Sequence, residues 1–212
     1  MRKFLLLLLI TIMLIGCGTK ASKSKSDYIE DLQEVKSELI NVNVKAEKML
    51  HLYSKMWSIR AKGKLVTVDL VERETGVPAS ELSNYFEITI GYSDTSESTV
   101  DSITGEPSDV VRGLQKLYLD NGQFNELEVA LSDVKTKVQS LNNPPDEYEK
   151  IFDKLLEMYS LTEEMAGLAM SPSGSLITFN QKINELSEDI VKLNNEIEVL
   201  LPSKDDMNNE DI

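Results

Sequence analysis

The chain has 212 residues, with 36 acids against 22 bases, one histidine and one cysteine. A formal net charge of −14 argues against a nucleic-acid binder, because affinity for the phosphate backbone rests on lysine and arginine. One histidine and one cysteine cannot supply the donor sets that zinc or iron sites normally use, and the length suits one domain with a sizeable core.

In chain order, Arg2 and Lys3 form a short positive head, Phe4 to Ile15 is apolar apart from Thr11, and Gly16 and Cys17 close the run before the polar TKASKSKSD. That layout predicts a secretory signal over residues 1–16. At ~1.5 Å per residue the apolar run reaches about 18 Å, short of the ~30 Å hydrocarbon core that a spanning helix must cross. The run ends Leu14-Ile15-Gly16-Cys17, which resembles the lipobox of bacterial lipoproteins. In that family the cysteine thiol is joined to diacylglycerol and the signal is cut just before it, so the resemblance implies lipid attachment at Cys17. Two acyl chains hold a protein stably on a membrane where one does not. The cut leaves roughly 196 residues and moves the formal balance from −14 to about −16, because Arg2 and Lys3 go and no acid does. Residues 17–26 then read as lipid anchor and flexible tether, and 203–212 as an acidic, disordered tail.

Residues 27–202 are expected to form the folded domain. Tyr28, Leu32, Val35, Leu39, Val42, Ala46, Met49, Tyr53 and Met56 step by four and three, the seam of a helix packed nearly parallel to its neighbours. Asp27, with Glu30 three residues on, is read as its N-terminal cap. The stretch from about Ala61 to Asn121 is an irregular insertion. In it, LVTVDLVERETG extends the first helix to a stop at Gly76 and Pro78, and ELSNYFEITIGY suits a helix or a short strand equally. YSDTSESTVDSITGEPSD reads as a loop, and SDVVRGLQKLYLDNG as a short helix capped by Ser108. Further seams run through Phe124, Leu127, Leu131, Val134, Val138 and Leu141; through Tyr148, Phe152, Leu155, Tyr159, Thr162, Ala166 and Ala169; and through Leu176, Phe179, Ile183, Leu186, Ile190, Leu193, Ile197 and Leu200. NNPPDE separates the first two of these and SPSGS the last two. The fold class expected is all-α, an elongated antiparallel bundle of about four long helices.

Catalytic sets do not assemble from these residues. His51 has Glu47 and Lys55 as helical neighbours and lies off the seam. DNGQFNE at 120–126 lacks the calcium-loop pattern and its twelfth-position glutamate, and no E-x-x-H pair offers a di-metal site. The serine of GSLITFN has no base beside it. Trp57 is read as closing the end of a core. No catalytic, cofactor or metal residues are expected, and the protein is not expected to be an enzyme.

The segment SLNNPPDEYEKIFDKLLEMYSLTEEMAGLAMSPSGSLITFNQKINELSED, with its NPP, tyrosine-rich helix and SPSGSL, is similar to uncharacterised cell-surface lipoproteins of Gram-positive bacteria. The resemblance covers the lipobox, the first helix and roughly 108–202, and the acidic stretch around 61–107 departs from it. It implies an extracytoplasmic, membrane-anchored module, held by a diacylglyceryl group on Cys17, that meets another envelope protein and no nucleic acid. The alternatives are a ligand-binding sensor or transport accessory with the insertion and Trp57 as a lid, and a prophage lipoprotein of the superinfection-exclusion type.

Overall fold

A computed structural model of the protein describes residues 24–92 and 99–202. The expected signal, Cys17 and the acidic tail at 203–212 lie outside the described residues. The described chain is mostly helical, with one small sheet.

Helix α1 (Lys25–Ala61) has 37 residues and is about 55 Å long at ~1.5 Å per residue. Its cap is Ser24, whose hydroxyl accepts the Asp27 N–H at 3.1 Å. Asp27, expected as the cap, sits instead inside the first turn, where its charge suits the positive end of the helix dipole. The helix therefore begins two residues before the expected boundary at 27. All nine seam residues from Tyr28 to Met56 are buried. A second stripe, Ile29, Lys36, Asn43 and Leu50, recurs every seven residues and is buried as well, with half-buried Trp57 in line.

The insertion is ordered into regular elements: β1 (Val66–Thr67), α2 (Val68–Thr75), α3 (Ala79–Leu82), β2 (Ile88–Tyr92) and β3 (Thr99–Ile103). The expected extension of α1 does not form. The chain leaves the helix after Ala61, and Gly63 takes φ 71°, a left-handed turn that glycine adopts without strain. The strands pair antiparallel in the order β1-β3-β2, with Val66 and Ile88 both opposite Ile103. Residues 99–103, expected in a loop, are thus the central strand. Ser102 and Ile103 are buried in it, so two residues of burial outweigh a Ser/Thr/Asp composition that reads as a turn.

Helices α4 (Pro107–Asp120) and α5 (Gln123–Ser140) are split by Asn121 and Gly122, the latter at φ 82°. Helix α4 is capped by Glu106, whose backbone N–H donates to Asp109 Oδ2 at 2.9 Å. Ser108, expected there, is displaced into the first turn because Pro107 takes the first helical position, where its missing donor costs nothing. Asn143 at φ 77° ends the α5 segment, a short 3-10 turn covers Asp146–Tyr148, and α6 (Glu149–Met170) follows. Ser175 and Thr178 cap α7 (Leu176–Leu200) reciprocally.

Contacts along α1 set the directions of the other helices. Arg60 donates to Gly105 O at 2.6 Å, the Tyr53 and Tyr118 rings meet edge to face at 5.7 Å, Lys45 pairs with Glu126 at 3.7 Å, and the Tyr28 hydroxyl donates to Leu141 O at 3.1 Å. Numbers therefore fall along α1 as they rise through α4 and α5, which run against it as one interrupted rod. Tyr28 stacks on Tyr148 at 5.9 Å and Asn43 donates to Thr162 at 2.9 Å, so α6 runs with α1. Lys36–Glu198, Glu47–Ser187, Ser54–Asn180 and Trp57–Phe179 place α7 against it.

The insertion is locked to the frame at Gly113 in α4. A Cβ there would lie 2.3 Å from Phe86 Cε1 and 2.7 Å from the Tyr85 carbonyl oxygen. Gly113→Ala would gain up to ~1 kcal/mol of helix propensity but lose about 1–3 kcal/mol to overpacking against a backbone atom that cannot rotate away. The expected outcome is a lower urea midpoint with an unchanged slope.

In the core, the Thr162 hydroxyl donates to Met158 O at 2.8 Å and accepts the Asn43 amide, while Asn43 Oδ1 is buried without a partner. Thr162→Val orphans the amide and is expected to cost about 1–3 kcal/mol. Combining Thr162→Val with Asn43→Leu removes both polar groups and is expected to restore most of that loss. A double-mutant cycle by chemical denaturation reads the coupling directly.

Candidate functional site

Cys17 and the lipobox residues Leu14, Ile15 and Gly16 lie outside the described residues, so the site that can be built from side chains is the surface nearest to where they join the body. Helix α1 starts beside the 3-10 turn, where Lys25 bridges to Glu147 at 2.8 Å and Tyr28 stacks on Tyr148. The same end holds the last turn of α5, the first turn of α6 and the last turn of α7.

Along α6 and α7 an open groove of ≈ 800 Å³ runs from the level of Ser187 to Leu200. Its floor is apolar. Val191 is 58% exposed and Val199 85% exposed, with Asn195 midway between them on the same face of the helix. Lys150, Lys154 and Lys192 stand along its rim. Lys154 reaches Glu196 at 3.0 Å and Glu157 at 3.2 Å. The hydrogen bonds that Lys154 donates, to Glu196 first and Glu157 second, draw its pKa upward, and Lys154 in turn holds the Glu196 carboxyl below its ordinary value. These are surface ion pairs, which orient side chains more than they stabilise a fold.

Ser187 at the groove's upper end has its hydroxyl committed to Glu47 on α1, and no imidazole stands beside it to take a proton. His51, the one histidine in the chain, is exposed on α1. Among the described residues no group of three or more His, Cys, Asp or Glu side chains could hold a metal ion, and no helix is long and apolar enough to cross a membrane. The structure places Trp57 against Phe179 at 5.8 Å, at the end of the groove-bearing helix pair, and DNGQFNE at the joint of α4 and α5. Sequence reading missed the groove. The available signal was Val191 and Val199, two apolar residues eight apart and off the α7 seam.

Four tyrosines are perturbed as well. Burial pushes the Tyr28 hydroxyl up from 10.0 to about 12. Burial also raises Tyr53 and Tyr118, with a smaller electrostatic contribution from the neighbouring Tyr118 phenol to the first and from the Glu74 carboxylate to the second. Tyr159 is raised by burial and by its hydrogen bond to Glu163.

No protein-family model matches the chain, and no curated protein or solved structure matches it.

The Tyr28 shift predicts the alkaline limit of stability. In the unfolded chain the phenol loses its proton near pH 10, while in the folded protein it holds it to about 12. Above pH 10 the unfolded state therefore binds fewer protons, so stability is fully present below pH 10 and falls as pH rises toward 12. Tyr28→Phe loses about 1 kcal/mol at neutral pH with its hydrogen bond and flattens the alkaline slope. Urea unfolding at a series of pH values measures both effects.

Proposed function

We propose that this chain is a lipid-anchored, non-catalytic module on the outer face of the cytoplasmic membrane, whose helices form an elongated antiparallel four-helix bundle and present the α6–α7 groove to another envelope protein. The observation that carries the reading is the N-terminal pattern: a positive head, an apolar run of a dozen residues, and Leu14-Ile15-Gly16-Cys17 at its end. Its likeness to the lipobox supports diacylglyceryl attachment at Cys17 and cleavage before it.

The geometry is compatible with that anchor. Cys17 precedes the first residue of α1 by eight positions, a tether that extends to about 28 Å at most. The groove lies along the half of the molecule nearest the tether. An open apolar strip flanked by lysines and glutamates has the character of a protein-recognition surface, with an apolar centre and a polar rim. It has no enclosed space of the kind a substrate needs for chemistry. The order of contacts along α1 supports the bundle: α4 and α5 form one rod with a joint, and α6 and α7 form a hairpin of two more.

Metabolic labelling with radioactive palmitate is expected to mark the wild-type protein in the membrane fraction. Cys17→Ser is expected to carry no label and to keep residues 1–16. A photo-crosslinking residue at Val199 is expected to yield an adduct in whole cells, and one at Val129, exposed on α5, none. Unlabelled wild-type protein would remove the anchor from this account, and a Val199 adduct no stronger than the Val129 one would remove the groove.

A further inference from the structure

The groove along α6 and α7 is open at the end where the chain leaves α7. Leu200 lines that end, Leu201 is extended at φ −67° and ψ 136°, and Pro202 cannot continue the helix. Residues 203–212, SKDDMNNEDI, follow outside the described residues. We propose that this segment turns back along α7 and occupies the groove of its own chain, so that a partner protein must displace it. The inference rests on the reading of the groove as a protein-recognition surface.

Reach permits the contact. Val191 and Val199, the exposed apolar residues of the groove, are separated by about 12 Å at ~1.5 Å per residue. Met207 and Ile212 are the large apolar residues of the segment, and the chain between them spans about 17 Å when fully extended. The slack is taken up at Asn208-Asn209, residues that favour a turn, and a turn there brings both apolar side chains to one side. The stretch from Pro202 to Met207 is long enough to reverse direction and return one helical turn to Val199. Among the described residues no large apolar side chain is more exposed than Val199, so covering it removes apolar surface from water where most is available.

Charge points to the same register. Three lysines and two glutamates line the groove, whereas the segment sets Lys204 against Asp205, Asp206, Glu210 and Asp211. Lys154 reaches Glu196 at 3.0 Å, which places Lys150, one turn earlier on α6, level with Leu200 at the open end. Lys150 acts on Glu196 through space without an ion pair, and Asp205 and Asp206 pass beside it. Lys192 has Glu196 at 4.0 Å, and Glu210 comes alongside once Met207 stands over Val199. Joined to its site by a few residues, the segment is present there at an effective concentration near millimolar. A contact too weak to hold a free peptide is therefore populated within the chain.

Photo-crosslinking on the purified full chain tests the proposal, with the crosslinking residue at Val199 and the adduct mapped by proteolysis and mass spectrometry. The expected result is an adduct within one chain that maps to residues 203–212 and is absent when the crosslinker stands at Val129. Met207→Ser with Ile212→Ser is expected to lower its yield at least about fivefold, and Lys150→Glu about threefold. In whole cells, removal of residues 203–212 is expected to raise the Val199 adduct with another protein about twofold, since a segment that fills the groove half the time halves the competent fraction. No adduct in the purified protein, an adduct to a second copy or to the folded body instead, or a yield that the double serine variant leaves unchanged overturns the proposal. An intermolecular adduct unchanged by removal of the segment overturns its role as competitor. The purified protein contains no partner, so failure there beside a Val199 adduct in cells removes this inference and keeps the recognition surface. The opposite pair of results keeps the docked segment and removes the partner.

Discussion

The structure depends on one helix being buried on two faces at once. In α1 the seam from Tyr28 to Met56 and the stripe Ile29, Lys36, Asn43, Leu50 are both covered, so the helix must have neighbours on several sides. It touches α4, α5, α6 and α7, and each of them is located by its contact with α1. A comparable second stripe runs along α6, where Ile151, Met158 and Met165 recur every seven residues beside the seam, and a shorter one along α4 at Val111 and Tyr118. The two long helices α1 and α6 pack against each other, and the other helices close around them. Asn43 and Thr162 meet at that central contact. A slip of α6 by one heptad would leave the Asn43 amide facing an apolar side chain, where an unmade hydrogen bond is costly. The polar pair therefore selects the register that the repeating apolar residues alone would leave degenerate.

That division explains what could be read from the sequence and what could not. The seams were legible because a four-three alternation over eight turns has no other physical source. The second stripe of α1 was hidden because Lys36 and Asn43 occupy two of its four positions. Lysine is buried there only because its stem lies along the core while its ammonium reaches Glu198, the snorkelling that makes such residues poor guides to burial. The sheet was hidden for the opposite reason. Thr99 to Ile103 carries the composition of a turn, and its strand character comes from pairing with β1 on one side and β2 on the other, contacts far apart in sequence. The caps were misplaced by two or three residues at Ser24 and Glu106, where several acids and serines compete for one position. Of the candidate sites, the Cys17 motif needs only local order, so it is visible in the sequence. The groove needs side chains from two helices, and an exposed valine in isolation is unremarkable.

The chain order also separates the two ends of the molecule. At one end α1 begins beside the α6–α7 groove. At the other, the insertion is fixed by Arg60 to Gly105, by β1 directly after α1, and by Phe86 seated on Gly113. Between them lies the joint in the α4–α5 rod. A small sheet with two short helices has too little core to be stable alone, and Val66, Val71, Leu82 and Ile103 complete theirs with α4 and the end of α1. The insertion is therefore part of the same folding unit, and its last helix, α4, brings Tyr118 to the joint.

Charge gives these surfaces their selectivity. Acids outnumber bases by fourteen, and many interhelical ion pairs, such as Lys137 with Glu34 and Glu38, stand in solvent. Pairs of that kind add little to stability. What they leave is a surface that repels acidic partners and further copies of itself at short range. Against that background the lysines stand out by position. Three of them line the apolar groove, beside Glu188 and Glu196, so that surface offers both signs of charge around its apolar centre. The proposed anchor strengthens this constraint. With Cys17 anchored as proposed, the eight positions to α1 would keep the body within a few nanometres of an anionic surface, against which the acidic exterior would disfavour lying flat.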